Sequence, residues 1–114
     1  MISKLKNNNF FFHFFLYKSI ELGHIDILDM LLQEKANANA KNRHRETPLV
    51  TAVRLGKTES LKILLKHNAD INTKHENDPL THVAAQHEQF KMVKFLVEAD
   101  ADLDARNKRR QTIR

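Results

Sequence analysis

Gly56-Lys57-Thr58 reproduces the last three residues of a phosphate-binding loop, in which backbone N–H groups cradle phosphates and the lysine reaches the outer ones. That loop also needs a glycine five positions earlier, and Thr51 stands there. The triplet reads instead as the turn between two helices. His87-Glu88 opens like a zinc-protease helix, but Lys91 replaces the second histidine of that motif. The seven histidines offer no ligand set, because His13, His44, His67, His75 and His87 share no spacing that would gather three nitrogens on one metal. Ser3, Ser19 and Ser60 lie in the tail or on helical stretches, away from any Gly-flanked elbow that would expose a nucleophile. No chemistry, cofactor or metal is expected from these residues.

Two further segments invite a function. The run Arg106-Asn107-Lys108-Arg109-Arg110 resembles a nucleic-acid or nuclear-import patch, yet no aromatic lies beside it to stack on bases. It reads as a cationic loop, without specific nucleic-acid binding. Phe10 to Tyr17 is an apolar run behind Lys4 and Lys6, broken by His13. It lacks the small-residue cleavage pattern of a secretory signal, and its consecutive aromatics do not line one face of a membrane-surface helix. An apolar helix packed on the next segment is the simpler expectation, with a cytoplasmic location, or a host cytosol if the chain is a secreted effector.

The elements that hold these residues follow from composition and period. The chain has 114 residues with 41% hydrophobic and 29% charged, which suits one modest folded core and excludes a wholly disordered chain. The absence of cysteine excludes a disulfide scaffold, a thiol nucleophile and thiolate-bound zinc. A net charge of +5 favours acidic partners without the density of a nucleic-acid arm.

The chain repeats itself. Gly23 to Leu32 is followed 33 residues later by Gly56 to Leu65, and 32 residues after that by Glu88 to Val97. Apolar residues recur in register as Leu28, Leu61, Val93, then Leu31, Leu64, Leu96, then Leu32, Leu65, Val97. Their i, i+3, i+4 spacing is one face of a helix. A shorter helix precedes each, over 48–55 in the middle copy and 81–87 in the third, and Thr47-Pro48 is a sound helix start. The turns Ala36-Asn37-Ala38-Asn39, Ala69-Asp70-Ile71-Asn72 and Ala101-Asp102-Leu103-Asp104 also correspond. Each unit is a helix, a tight turn, a second helix and an extended loop. None can bury its apolar face alone, so neighbours must stack.

Thr47-Pro48-Leu49, Ala52, Gly56, Leu64-Leu65 and Ala69-Asp70-Ile71-Asn72 together resemble the ankyrin repeat, and Leu80-Thr81-His82-Val83-Ala84-Ala85 carries the match into the third copy. The resemblance implies an all-α solenoid of helix–turn–helix repeats with projecting loops. Its units would run 9–41 (a degenerate, capping copy), 42–74 and 75–106, after a tail at 1–8 and before a truncated fourth at 107–114. In the first copy Phe14-Phe15-Leu16-Tyr17 replaces Thr-Pro-Leu-His, and Val50 replaces the histidine of the second. His24 and His82 stand where the pattern places histidines that satisfy backbone and hydroxyl groups. The glycines of the pattern are replaced by Lys35, Asn68 and Asp100, by Arg45, Asn77 and Arg110, and by Glu88. Where left-handed geometry is retained, each such residue costs up to ~1 kcal/mol.

The resemblance also implies a non-catalytic protein-binding module whose loop tips and first-helix ends meet the partner. Those positions are Arg43, His44 and Glu46, His75, Glu76 and Asp78, and Lys108, Arg109 and Gln111 on the loops. On the helix ends they are Glu21-Leu22, Arg54-Leu55 and Gln86-His87. Cations, imidazoles and an exposed leucine suit a protein with acidic side chains around an apolar spot. The alternative is a structural N-terminal fragment of a longer array, because Val93, Phe95, Leu96 and Val97 keep the last helix as apolar as internal ones.

Overall fold

The computed structural model describes residues 9–99, with side chains from Phe12 onward. Three helix–turn–helix pairs follow one another. The first is α1 (Asn9–Leu22) with α2 (Ile25–Gln33), and the second is α3 (Pro48–Leu55) with α4 (Thr58–Lys66). A hairpin of β1 (Lys74–His75) and β2 (Asp78–Pro79) leads into α5 (Leu80–Gln86) and α6 (residues 90–99). α5 thus begins at Leu80, directly after Pro79, one residue earlier than the helical pattern alone suggested. The first helices α1, α3 and α5 pack side by side, and α2 lies against α4 behind them. This is the helix–turn–helix solenoid the repeat implied.

The registered leucines explain the stack. Leu28 and Leu61 are buried, as are Leu31, Leu64 and Leu96, while Val93 packs partly buried against them. Every helix after α1 is ten residues or shorter in the described chain, too short to hold its shape in water without tertiary contacts. The third column thins along the array: Leu32 is buried, Leu65 partly so, and Val97 is 54% exposed. In α1 the apolar run divides its faces, with Phe12, Leu16, Tyr17 and Ile20 inward and Phe14 and Phe15 outward.

The turns are built by local chemistry. Thr47 caps α3 by accepting a hydrogen bond from the Val50 N–H at 3.4 Å, with Pro48 in the first turn. Gly56 closes α3 in the left-handed region at φ 71°, and a Cβ there would meet Oε1 of Gln89 at 2.3 Å. Lys35, Arg45, Asn68, Asn77 and Glu88 all adopt positive φ, as the missing glycines required, and Glu76 joins them at 52°. Glu76 and Asn77, both left-handed, form the two-residue turn whose twist matches an antiparallel hairpin. Asp100 and Arg110 lie outside the described residues.

Polar contacts tie neighbouring pairs together. Asp29 on α2 meets His67 at the end of α4, with Oδ1 and Nε2 2.7 Å apart. The Asp70 N–H donates to Oδ1 of Asn39 at 3.0 Å, and Nε2 of Gln89 donates to the Arg54 carbonyl at 3.2 Å. His67 is therefore a structural partner, although no spacing had marked it out. His24 and His82 differ from expectation in the opposite sense. Both rings are exposed, and His24 heads α2 without a side-chain cap.

Two outcomes test this account. Leu64→Ala removes a fully buried side chain at the middle of the stack and is expected to cost about 2–5 kcal/mol in a urea titration. The Asp29 carboxyl is held below its ordinary value chiefly by the hydrogen bond to His67, opposed by desolvation and assisted by the Lys66 charge. Its contribution is complete above the ordinary carboxylate value near pH 4 and is lost as pH falls through the lowered one. The difference in urea midpoint between the native chain and Asp29→Asn should accordingly shrink between about pH 5 and pH 3.

Candidate interaction surface

The loop between the first two pairs is held from several sides. Oδ1 of Asn42 accepts from the His44 N–H at 2.8 Å and the Glu46 N–H at 3.0 Å, while the Asn42 N–H donates to the Glu46 carbonyl at 2.9 Å. Arg45, left-handed, closes the bend. From α1 the Tyr17 hydroxyl reaches the carbonyls of Ala40 and Glu46, both at 2.6 Å, with its one proton shared between them. Burial, and then the nearby Glu46 charge, raise the Tyr17 pKa well above its ordinary value, so the hydroxyl stays protonated as a donor. Tyr17 stands where the repeat pattern has a histidine and fastens the loop to the first pair.

Glu46 does not belong to a loop tip. It is 5% exposed, and its carboxylate accepts from Nε of Arg54 at 2.9 Å, from Nη2 of Arg54 at 3.2 Å and from the Thr51 hydroxyl at 2.9 Å. Burial pushes its carboxyl up, but the hydrogen bonds from Arg54 and Thr51 outweigh that and leave it below the usual carboxylate range. The forked Arg54–Glu46 pair is thus a brace between the loop and α3, with the carboxylate enclosed and the Arg54 side chain 36% exposed. A buried carboxylate requires such donors, which is why this pair forms where exposed contacts were expected.

The remaining positions are distributed along the array. Arg43 and His44 are exposed at the first loop, and Glu21 and Leu22 are exposed at the end of α1. Leu55 is half-buried, while Gln86 and His87 are exposed at the end of α5. In the hairpin Glu76 is exposed and Asp78 half-buried, and Nδ1 of the half-buried His75 has no hydrogen-bond partner. Lys108, Arg109 and Gln111 lie outside the described residues.

Three of these residues, Glu21, Arg43 and His44, meet in one open cleft of about 650 Å³ between α1 and the 41–44 turn. Its wall also contains His13, Phe14, Tyr17, Lys18, Lys41 and Asn42, which the repeat pattern did not indicate. Consecutive aromatics concealed which ring of α1 would face outward. The seat of Leu55 against the stack could not be read from sequence either. Among the described residues no cluster of three or more His, Asp or Glu side chains could hold a metal, and no helix is long and apolar enough to cross a membrane.

Arg54→Ala would leave the buried Glu46 carboxylate without its strongest donor. The expected loss is about 1–3 kcal/mol of stability by chemical denaturation, against about 0.5 kcal/mol or less for Arg43→Ala on the surface.

Comparison with known proteins agrees with the geometry. The family described as ankyrin repeats (3 copies) matches residues 14–107. The human ankyrin repeat and KH domain-containing protein 1 is 38% identical over 93 residues, covering 79% of this chain and 4% of that protein. The mouse ankyrin repeat and SOCS box protein 6 is 32% identical over 101 residues, covering 85% of this chain and 24% of its own length. A transient receptor potential channel homologue (subfamily A member 1) of Caenorhabditis elegans is 28% identical over 97 residues, covering 85% of this chain and 8% of the relative. The chain thus spans a quarter or less of each of these relatives. Helix pairs in register, left-handed turns at the glycine positions and the matched family agree, and the chain belongs to the ankyrin-repeat family.

Proposed function

We propose that this chain is a non-catalytic protein-binding module that receives its partner along the loop tips and the ends of the first helices. Ankyrin repeats generally serve as protein-interaction modules, and the family match brings that role here. The observation that carries the reading is the open cleft, where α1 and the 41–44 turn bring exposed cations together around the exposed Phe14 ring. The repeat units are taken as 9–41, 42–74 and 75–106, and the partner as a protein with an acidic surface in the cytoplasm. Of the residues first assigned to contact, Arg43, His44, Leu55, His75, Glu76, Asp78, Gln86 and His87 stay in the proposed surface. Glu46, buried in the internal brace, leaves it, and its part-exposed partner Arg54 stays at the rim.

A second reading is favoured by Val97 on α6, 54% exposed where its earlier counterparts Leu32 and Leu65 are buried and partly buried, and by Phe90, which is 68% exposed on the same helix. In this reading the chain is part of a longer array and has no activity alone. The mass of the protein in its native cells separates the two.

For the module, rim charges act mainly on the association rate, since each is worth only about 0–1 kcal/mol when screened by water and salt. With a captured partner, raising salt from about 0.05 to 0.5 M should slow association several-fold. Leu55→Glu should weaken the complex more than Arg43→Ala does. Salt-independent rates together with indifference to Leu55 would remove the proposed face from consideration.

A further inference from the structure

The cleft between α1 and the 41–44 turn combines two features that call for different ligand groups. Phe14 presents an exposed ring, 47% accessible, fixed edge-on against Phe15 at 5.6 Å and flanked by the Lys18 ammonium at 5.9 Å from its centre. Around it stand Lys18, Lys41, Arg43 and His44. The single carboxylate in the wall, Glu21, is 3.4 Å from Lys18, and neither Lys41 nor Arg43 has a salt-bridge partner among the described residues. The eight residues before α1 contain no Asp or Glu either. A volume near 650 Å³ accommodates a few side chains.

A small inorganic anion fits this cleft poorly. Its cations are exposed point charges on long stems, and no converging set of buried donors makes a socket. The aromatic floor would remain uncovered. Single-stranded nucleic acid fits little better, because successive bases need successive stacking platforms, whereas Phe15 is turned edge-on to Phe14. An acidic peptide with one apolar side chain meets both demands at once.

We propose that this cleft docks an acidic peptide segment of a partner protein, seating one aromatic or aliphatic side chain on Phe14 while flanking carboxylates meet Lys41 and Arg43. The assignment rests on the protein-binding reading above and narrows it to one end of the surface. Because Asn42 and Tyr17 fix the turn against α1, the cleft is shaped before the peptide arrives and little ordering cost falls on binding.

The test is an amide NMR titration of the intact chain with the peptide Glu-Asp-Glu-Phe-Glu-Asp-Glu up to about 1 mM, a range that detects weak binding. Shifts should concentrate on residues 13–21 and 41–46. Phe14→Ala and Arg43→Glu alter exposed side chains and should each weaken binding about tenfold with the rest of the spectrum retained. The Gln/Asn counterpart of the peptide and its Ala-for-Phe form should weaken it to a similar degree. Shifts centred instead on Arg54–Leu55 and Gln86–His87 would overturn the cleft and leave the module reading standing. Tighter binding of a ten-residue oligothymidine, or no shift with the acidic peptide, would also overturn it. The module reading then answers only to its own test on a captured partner.

Discussion

Helices of seven to ten residues have almost no stability of their own, and the whole molecule is an answer to that constraint. Each pair has one apolar face toward the pair before it and another toward the pair after it. Burial is therefore possible only in series, with leucine upon leucine at Leu31, Leu64 and Leu96. Everything at the surface depends on this series. The loops keep their places because the helices they join are clamped from both sides, and the turns accept unfavourable backbone angles because stacking fixes where the chain must reverse.

Those turns are where the sequence departs furthest from ease. Lys35, Arg45, Asn68, Glu76, Asn77 and Glu88 hold positive φ without being glycine, at a cost of roughly 1 kcal/mol or less each. Asn carries the conformation more readily than Lys, Arg or Glu. Some of the strained turns also hold polar groups in place. Arg45 closes the loop that Asn42 and Tyr17 hold, and Glu88 precedes Gln89, whose amide reaches the Arg54 carbonyl.

The solenoid was legible in sequence because its signal is repeated: one register of leucines and one set of absent glycines recur every 32 or 33 residues, and Thr47-Pro48 marks a helix start in the middle copy. The interaction surface was legible only in outline. Pattern could say that 43–46 lies on a loop, but not that Glu46 turns inward to Arg54 eight residues later, because that pair depends on the path of the loop over α3. Nor could it tell that Tyr17, in the histidine position of a degenerate copy, would span 23 and 29 residues to Ala40 and Glu46. The apolar run of α1 puts consecutive aromatics on both of its faces, so the exposure of Phe14 appears only once Leu16 and Ile20 are seen buried in the core.

The cross-links between pairs are made of unlike groups. Among the described residues the first junction has Tyr17 with Ala40 and Glu46, Asp29 with His67, and Asn39 with Asp70, and the second has the amide of Gln89 on the Arg54 carbonyl and the Lys62 ammonium over the Phe95 ring. In a chain where cooperativity passes only between neighbours, each junction fastens one pair to the next, and opening of one need not open the other. The cleft beside α1 therefore keeps its shape for as long as the first junction holds, because the Tyr17 hydroxyl ties α1 to the loop that forms the opposite wall.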